Sequence, residues 1–341
     1  MRRLFTLLLL FVLSINLQGQ KANKAAIEEN KQLFRDAFNE QLEMLQDKCP
    51  MSLKRAIWLY ENAYCEDTLD YEKFCKTIDS IVFKLRYTIK LNNLEKYKTS
   101  GNWAVFMFMK DTNILNYNQP YGYDFEDISG QKDYSKMFVT KLLRTKKGNC
   151  SSLPLMYKIL CDELGAKAFL AIAPRHLYVK HKDEEGQWTN VELTNGTFPR
   201  DQWIIQQLYI SVEGIRSGVY MNPLSDEENI VLAMHYLASA YKSKYGIDTF
   251  VQQIANTALT YSPDNLQMLM LKSDCLLFFG LVEEQKVLKN EEFRKSNFKA
   301  YKECIAKISD LGYTDMPAGQ YEELVNTMQE EEERQKMNKS R

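Results

Sequence analysis

The sequence predicts an α+β fold in which one helix packs on a small antiparallel sheet, set between two largely helical regions. Three observations carry this. Apolar residues recur at helical spacing from Lys21 to about Leu143 and again after Ser225. Strand-like runs are confined to the centre, at Ala168–Ala173, Leu177–His181 and Trp188–Thr194. A helix over Cys150–Leu164 precedes them and stops at Gly165, a C′ residue suited to positive φ. The expected organisation is a leader at 1–20, a helical N-terminal region at 21–100, the helix-and-sheet domain at 101–222 and a helical region at 223–341.

Arg2 and Arg3 followed by the apolar run Leu4–Leu13 read as a signal peptide, because about ten apolar residues are too few to span a bilayer. No cysteine follows the small Gly19 that would accept a lipid, so no membrane anchor is expected and the mature protein is expected to be exported, periplasmic or extracellular. Its loss takes the net charge from −1 to about −3.

In the N-terminal region Leu33, Phe34, Phe38, Leu42 and Leu45 form one helical stripe. Ser52 starts a second, with Leu53, Ile57, Trp58 and Leu59, and Tyr71–Leu91 carries a third. Residues 111–134, with Pro120, Gly122 and Gly130, read as an ordered loop, and Ser135–Leu143 as a short helix. After the sheet, helices are expected over Asn229–Tyr245, Thr249–Tyr261 and Leu266–Phe279, the last closed by Gly280. The turn Ser262-Pro263-Asp264-Asn265 between the latter two resembles that of a tetratricopeptide-type hairpin, without a second copy at a fixed period. The charged stretch 330–341 is expected to fray.

Composition excludes several classes. With 45% hydrophobic and 26% charged residues, and only 14 Gly and 8 Pro, the chain is an ordinary globular one. Lys and Arg are interspersed with acids, so nucleic acid is not an expected partner. No HExxH, P-loop or GxGxxG motif occurs, and no metal or cofactor is expected. Seven cysteines at 49, 65, 75, 150, 161, 275 and 304 are an odd number for an exported chain; at least one is expected to be unpaired, and one disulfide among Cys49, Cys65 and Cys75 is open.

Chemistry concentrates in the centre. Cys150, in Gly148-Asn149-Cys150-Ser151-Ser152-Leu153-Pro154, sits where a helix begins, so unpaired N–H groups and the positive end of the macrodipole favour a thiolate there. Of three histidines, His176 opens a strand, His181 falls on the opposite face as a solvated strand-end residue, and His235 lies in an apolar helix as a structural residue. On the next strand Asn190, Glu192 and Thr194 share one face and Val191 and Leu193 the other. A register with His176 opposite Glu192, Tyr178 opposite Asn190 and Lys180 opposite Trp188 leaves Asp183–Glu185 as the connection, with Gly186 placed for a bulge. Cysteine, imidazole and carboxylate are then ordered as nucleophile, base and orienting acid. The Cys150 backbone N–H is one expected oxyanion donor, and Gln131 and Asn149 are candidates for the second, with Asn190 in a supporting place.

Gly148-Asn149-Cys150 with its helix, His176 leading a strand, and Gly186-x-Trp188-x-x-x-Glu192-x-Thr194 together resemble the transglutaminase-like superfamily of papain-like cysteine enzymes over roughly residues 100–210. The chain differs in having Glu192 where that family has Asp, and Tyr178 near the place of a Trp. The helical tail is similar to the branch in which such a domain adjoins tetratricopeptide-like helices, often without the full triad that this chain carries. The resemblance implies a papain/transglutaminase-like core, a Cys150-His176-Glu192 triad and a peptide or protein substrate. The alternative is a catalytically silent module that binds a peptide or protein partner through its C-terminal helices.

Overall fold

The computed structural model describes the backbone of residues 2–314, side chains from 24 onward, and single positions between 319 and 334. Side chains of the leader-like stretch and most of 330–341 therefore lie outside the described residues. Along the chain come α1 (Arg2–Leu45), α2 (Leu53–Tyr64), α3 (Tyr71–Leu91) and α4 (Ser100–Lys110). A loop with short 3-10 turns at Ile114–Asn116 and Tyr134–Met137 holds β1 (Gly122–Tyr123) and leads into α5 (Val139–Thr145). The centre is β2 (Lys147–Gly148), α6 (Ser152–Leu164), β3 (Phe169–Ala173), β4 (His176–Lys182) and β5 (Trp188–Val191). Helices α7 (Asp201–Gln207), α8 (Val212–Arg216), α9 (Asp226–Tyr245), α10 (Thr249–Tyr261), α11 (Leu266–Glu284) and α12 (Glu291–Asp310) follow. The molecule is α+β and mostly helical.

Local chemistry explains the boundaries. Ser52 caps α2 by accepting from the Arg55 N–H, and Ser225 with Glu228 forms a capping box that starts α9 three residues before the expected Asn229. Gly165 ends α6 at φ 81°. Gly280, expected to end α11, lies inside it instead. A Cβ there would stand 3.1 Å from the Phe298 ring, so the glycine admits close approach of α12 rather than stopping the helix.

Strands β3, β4 and β5 form an antiparallel sheet in sequence order. Its register corrects the expected one by two residues: Val179 faces Val191, Lys180 faces Asn190 and Lys182 faces Trp188. The turn dictates the shift. The Asp183 N–H donates to Gln187 at 2.8 Å, which leaves Glu184, Glu185 and Gly186 as the loop. The third residue of such a loop must be left-handed, and Gly186 at φ 85° takes that place. Glu184 anchors the loop by accepting from the N–H and hydroxyl of Thr99, at 2.8 and 2.6 Å.

The two sheet faces bury different cores. Leu170, Leu177, Val179, Val191 and Leu193 join the main core with α6, as expected for Val191 and Leu193, and that core runs on through α1, α2, α9 and α10. Ala171, Ala173 and Tyr178 join a second core with α7, α11 and α12. The free edge of β3 is covered by the segment before α9, where Met221 and Leu224 donate to the Ile172 and Leu170 carbonyls at 2.9 and 2.8 Å. All seven cysteines are free thiols, so the disulfide left open among Cys49, Cys65 and Cys75 is not formed. Among the described residues no helix is long and apolar enough to cross a membrane.

Candidate active site

The site is built where α6 begins. Helix α6 starts at Ser152, two residues later than expected, and the Asn149 side chain closes the turn that leads into it. The Asn149 Oδ1 accepts the N–H groups of Ser151 and Ser152 at 3.0 and 3.1 Å, satisfying donors that a helix start leaves unpaired. Its Nδ2 donates to the Ile128 carbonyl at 3.2 Å, and the residue is 1% exposed. Asn149 is thus a buried cap with both ends engaged, and it is not free to act as an oxyanion donor. Cys150 follows directly and is 7% exposed.

The imidazole arrives by a two-residue turn. Ala173 pairs with His176, so Pro174 and Arg175 alone connect β3 to β4, and Arg175 is held at φ 55°. A non-glycine residue there is strained. This tight turn carries the Arg175 carbonyl to 3.9 Å from the Cys150 Sγ. The His176 ring lines the same cleft as Cys150, close enough for the sulfur to favour its charged form. Its Nε2 lies 2.6 Å from the Glu192 Oε2. The other Glu192 oxygen accepts the Thr194 N–H and hydroxyl at 2.9 and 2.7 Å. Both carboxylate oxygens are therefore fixed, and the three expected residues meet.

Electrostatics favour a charged ring. Burial pulls the His176 pKa down, but the Glu192 charge, the neighbouring Cys150 sulfur and the hydrogen bond to Glu192 outweigh it and push it up to about 10. Burial raises Glu192, and the His176 and Thr194 contacts more than reverse that, holding it below the usual carboxylate value. A buried imidazolium and carboxylate stabilise each other in this arrangement.

Other expected positions fall elsewhere. Gln131 is exposed, with its backbone N–H on Asp127, and does not line the cleft. Asn190 supports the fold: its Nδ2 donates to the Pro199 carbonyl and to Asp201 at 3.0 and 2.7 Å. His181 is buried rather than solvated, with its Nδ1 3.0 Å from the Lys182 carbonyl. His235 is not the satisfied structural residue expected. It lines the same cleft as Cys150, its Nδ1 is buried without a partner, and burial, then Lys242, pushes its pKa down to about 4.

The cleft has a volume of about 440 Å³. One wall carries Cys150, Ser151 and the Arg175–His176 turn; the other comes from α9 and α11, through His235, Tyr236, Gln267 and Met270. Sequence reasoning missed Tyr236 and Ser151. A tyrosine on an amphipathic helix is most often core, and nothing local shows which end of α9 meets a residue over eighty positions earlier. Among the described residues no group of His, Cys, Asp and Glu is arranged to hold a metal ion. Compared with family models, with curated proteins and with solved structures, the chain matches none.

Proposed function

We propose that this chain is an exported, transglutaminase-like cysteine enzyme that acts on amide or peptide bonds of a peptide or protein, with hydrolysis favoured over amine transfer. The observation that carries the reading is that Cys150 and His176 line one cleft and Glu192 holds the ring there, at an imidazole to carboxylate separation of 2.6 Å. A thiol beside an imidazole that a carboxylate orients is what a nucleophile, acid–base and orienting group require. The Cys150 sulfur attacks the carbonyl carbon and its proton resides on His176. The imidazolium then protonates the leaving amine, and water completes the turnover. Glu192 keeps the ring oriented and charged.

A second reading is a silent binding module that keeps this geometry, favoured by the 7% exposure of Cys150. Labelling with an acyl-type activity probe separates the two. The enzyme reading expects wild-type labelling at Cys150 that is lost in C150A and strongly reduced in H176A. Equal labelling of wild type and C150A overturns it. Export is tested by sequencing the N terminus of the protein recovered outside the cytoplasm, where a start near residue 20 is expected.

A further inference from the structure

The reaction needs a group that stabilises the negative charge on the carbonyl oxygen, and the structure removes both side chains that the sequence offered for it. Asn149 is committed to capping α6, and Gln131 stands outside the cleft. The search for another donor leads across the cleft to α9. Tyr236 lines it beside Cys150 and Ser151, and is 6% exposed. Its hydroxyl lies near the Ser151 side chain in that cleft and close enough to Cys150 to feel the charge on the sulfur.

The ring is fixed as well as near. It stacks on Tyr60 with centroids 5.9 Å apart and planes 23° apart, and the backbone carbonyl of Tyr236 accepts from the Tyr134 hydroxyl at 3.4 Å. Tyr60 itself is fully buried, so this support belongs to the main core. Burial pushes the Tyr236 hydroxyl well up, which keeps it a neutral phenol and hence a donor over the whole working range. A donor positioned before the reaction costs no reorganisation when charge develops.

We infer that the Tyr236 hydroxyl is the side-chain oxyanion donor of this site, supplied to Cys150 by the C-terminal helices. The inference rests on the proposed cysteine chemistry. In the step concerned, the sulfur electron pair forms the S–C bond and the C=O π pair moves to oxygen. The Tyr236 O–H donates a hydrogen bond to that oxygen and keeps its proton. On collapse the pair returns to the C=O bond, the C–N bond breaks, and the nitrogen takes the proton from His176.

Two thiol reactions test this on the full-length chain, with C150A as background. Alkylation by iodoacetamide involves no carbonyl oxyanion, whereas acylation by p-nitrophenyl acetate passes through one. Y236F keeps the ring and its stacking. The expected result is acylation of Cys150 slowed about 10²-fold, with alkylation within about twofold of wild type. Acylation of Y236F at the wild-type rate overturns the assignment and leaves the enzyme reading standing. Equal losses in both reactions also overturn it, since Tyr236 would then act on the sulfur rather than on the oxyanion. A wild type acylated no faster than C150A overturns the cysteine chemistry itself.

Discussion

Glu192 reaches His176 from a diagonal position: their side-chain atoms stand 2.6 Å apart although the strand register continues to place Tyr178, not His176, opposite Glu192. Diagonal neighbours on one sheet face are about 7–8 Å apart at the backbone, within reach of long side chains. The extra methylene of glutamate, relative to the aspartate of the resembling family, is the length that this register needs. E192D should therefore lower p-nitrophenyl acetate turnover by roughly 10²-fold without unfolding the protein. Turnover at the wild-type level would show that the longer side chain is not needed.

His176 should be a charged imidazolium at pH 8. Its folded-state pKa of about 10 lies above the ordinary 6.5, so the pairing stabilises the fold fully below that ordinary value and loses the contribution as pH rises through about 10. For Glu192, lowered from 4.5, the contribution is present above that value and lost as pH falls through the lowered one. Ring signals in NMR spectra should show no titration between pH 6 and 8, and E192Q should bring the midpoint down. A wild-type ring titrating near 6.5 would contradict the pairing.

Glu61 gives a dependence opposite to that of Glu192. Its carboxylate, fully buried, accepts the N–H groups of Val139 and Thr140 at 2.6 and 2.9 Å where α5 begins. Burial raises its pKa from 4.5 to about 7 against the pull of those hydrogen bonds. The folded state thus holds the proton more tightly, and stability falls as pH rises from about 4.5 through 7, by roughly 3 kcal/mol at most. Melting curves of wild type and E61Q should diverge over this interval, the wild type losing more with rising pH. Parallel curves would rule the shift out.

Asn149→Ala should destabilise the fold by about 1–2 kcal/mol through the lost α6 cap. Chemical denaturation measures this, with the midpoint moving and the slope unchanged. Acylation of the folded N149A protein should slow much less than in Y236F, because the asparagine has no hydrogen-bonding atom left for the substrate.

Thr194→Val removes the hydroxyl that Glu192 accepts at 2.7 Å and keeps the N–H at 2.9 Å. Hydrogen bonds to a charged group are worth about 1.5–3 kcal/mol, so a loss of this order is expected in thermal unfolding. Turnover should fall modestly, since the remaining N–H still orients the carboxylate. An unchanged stability would mean that Thr194 plays no part in holding Glu192.

Local signals were the legible part. Helix α10 occupies Thr249–Tyr261 as read from apolar spacing, and Gly165 takes the left-handed C′ place. Side-chain alternation gave the correct faces for Val191, Leu193 and Glu192, because parity survives a shift of two residues. What failed depended on distant partners. Gly280 looked like a terminator because Phe298 of α12, which needs the space, lies eighteen positions further on. The β4–β5 register missed by one pair because two placements of Gly186 in the loop suit the same hairpin. Asn149 could not be told from an oxyanion donor without seeing Ile128 fold back onto it.

The far wall of the cleft comes from α9 and α11, while the Cys150 thiol, the His176 imidazole and the Glu192 carboxylate all lie at or before residue 192. A chain emerging from the ribosome therefore makes the Cys150 thiol well before it makes the far wall of the cleft. Order of synthesis alone separates possession of the thiol from completion of the pocket. If the chain is threaded across a membrane before it folds, the compartment that makes it never meets the finished cleft.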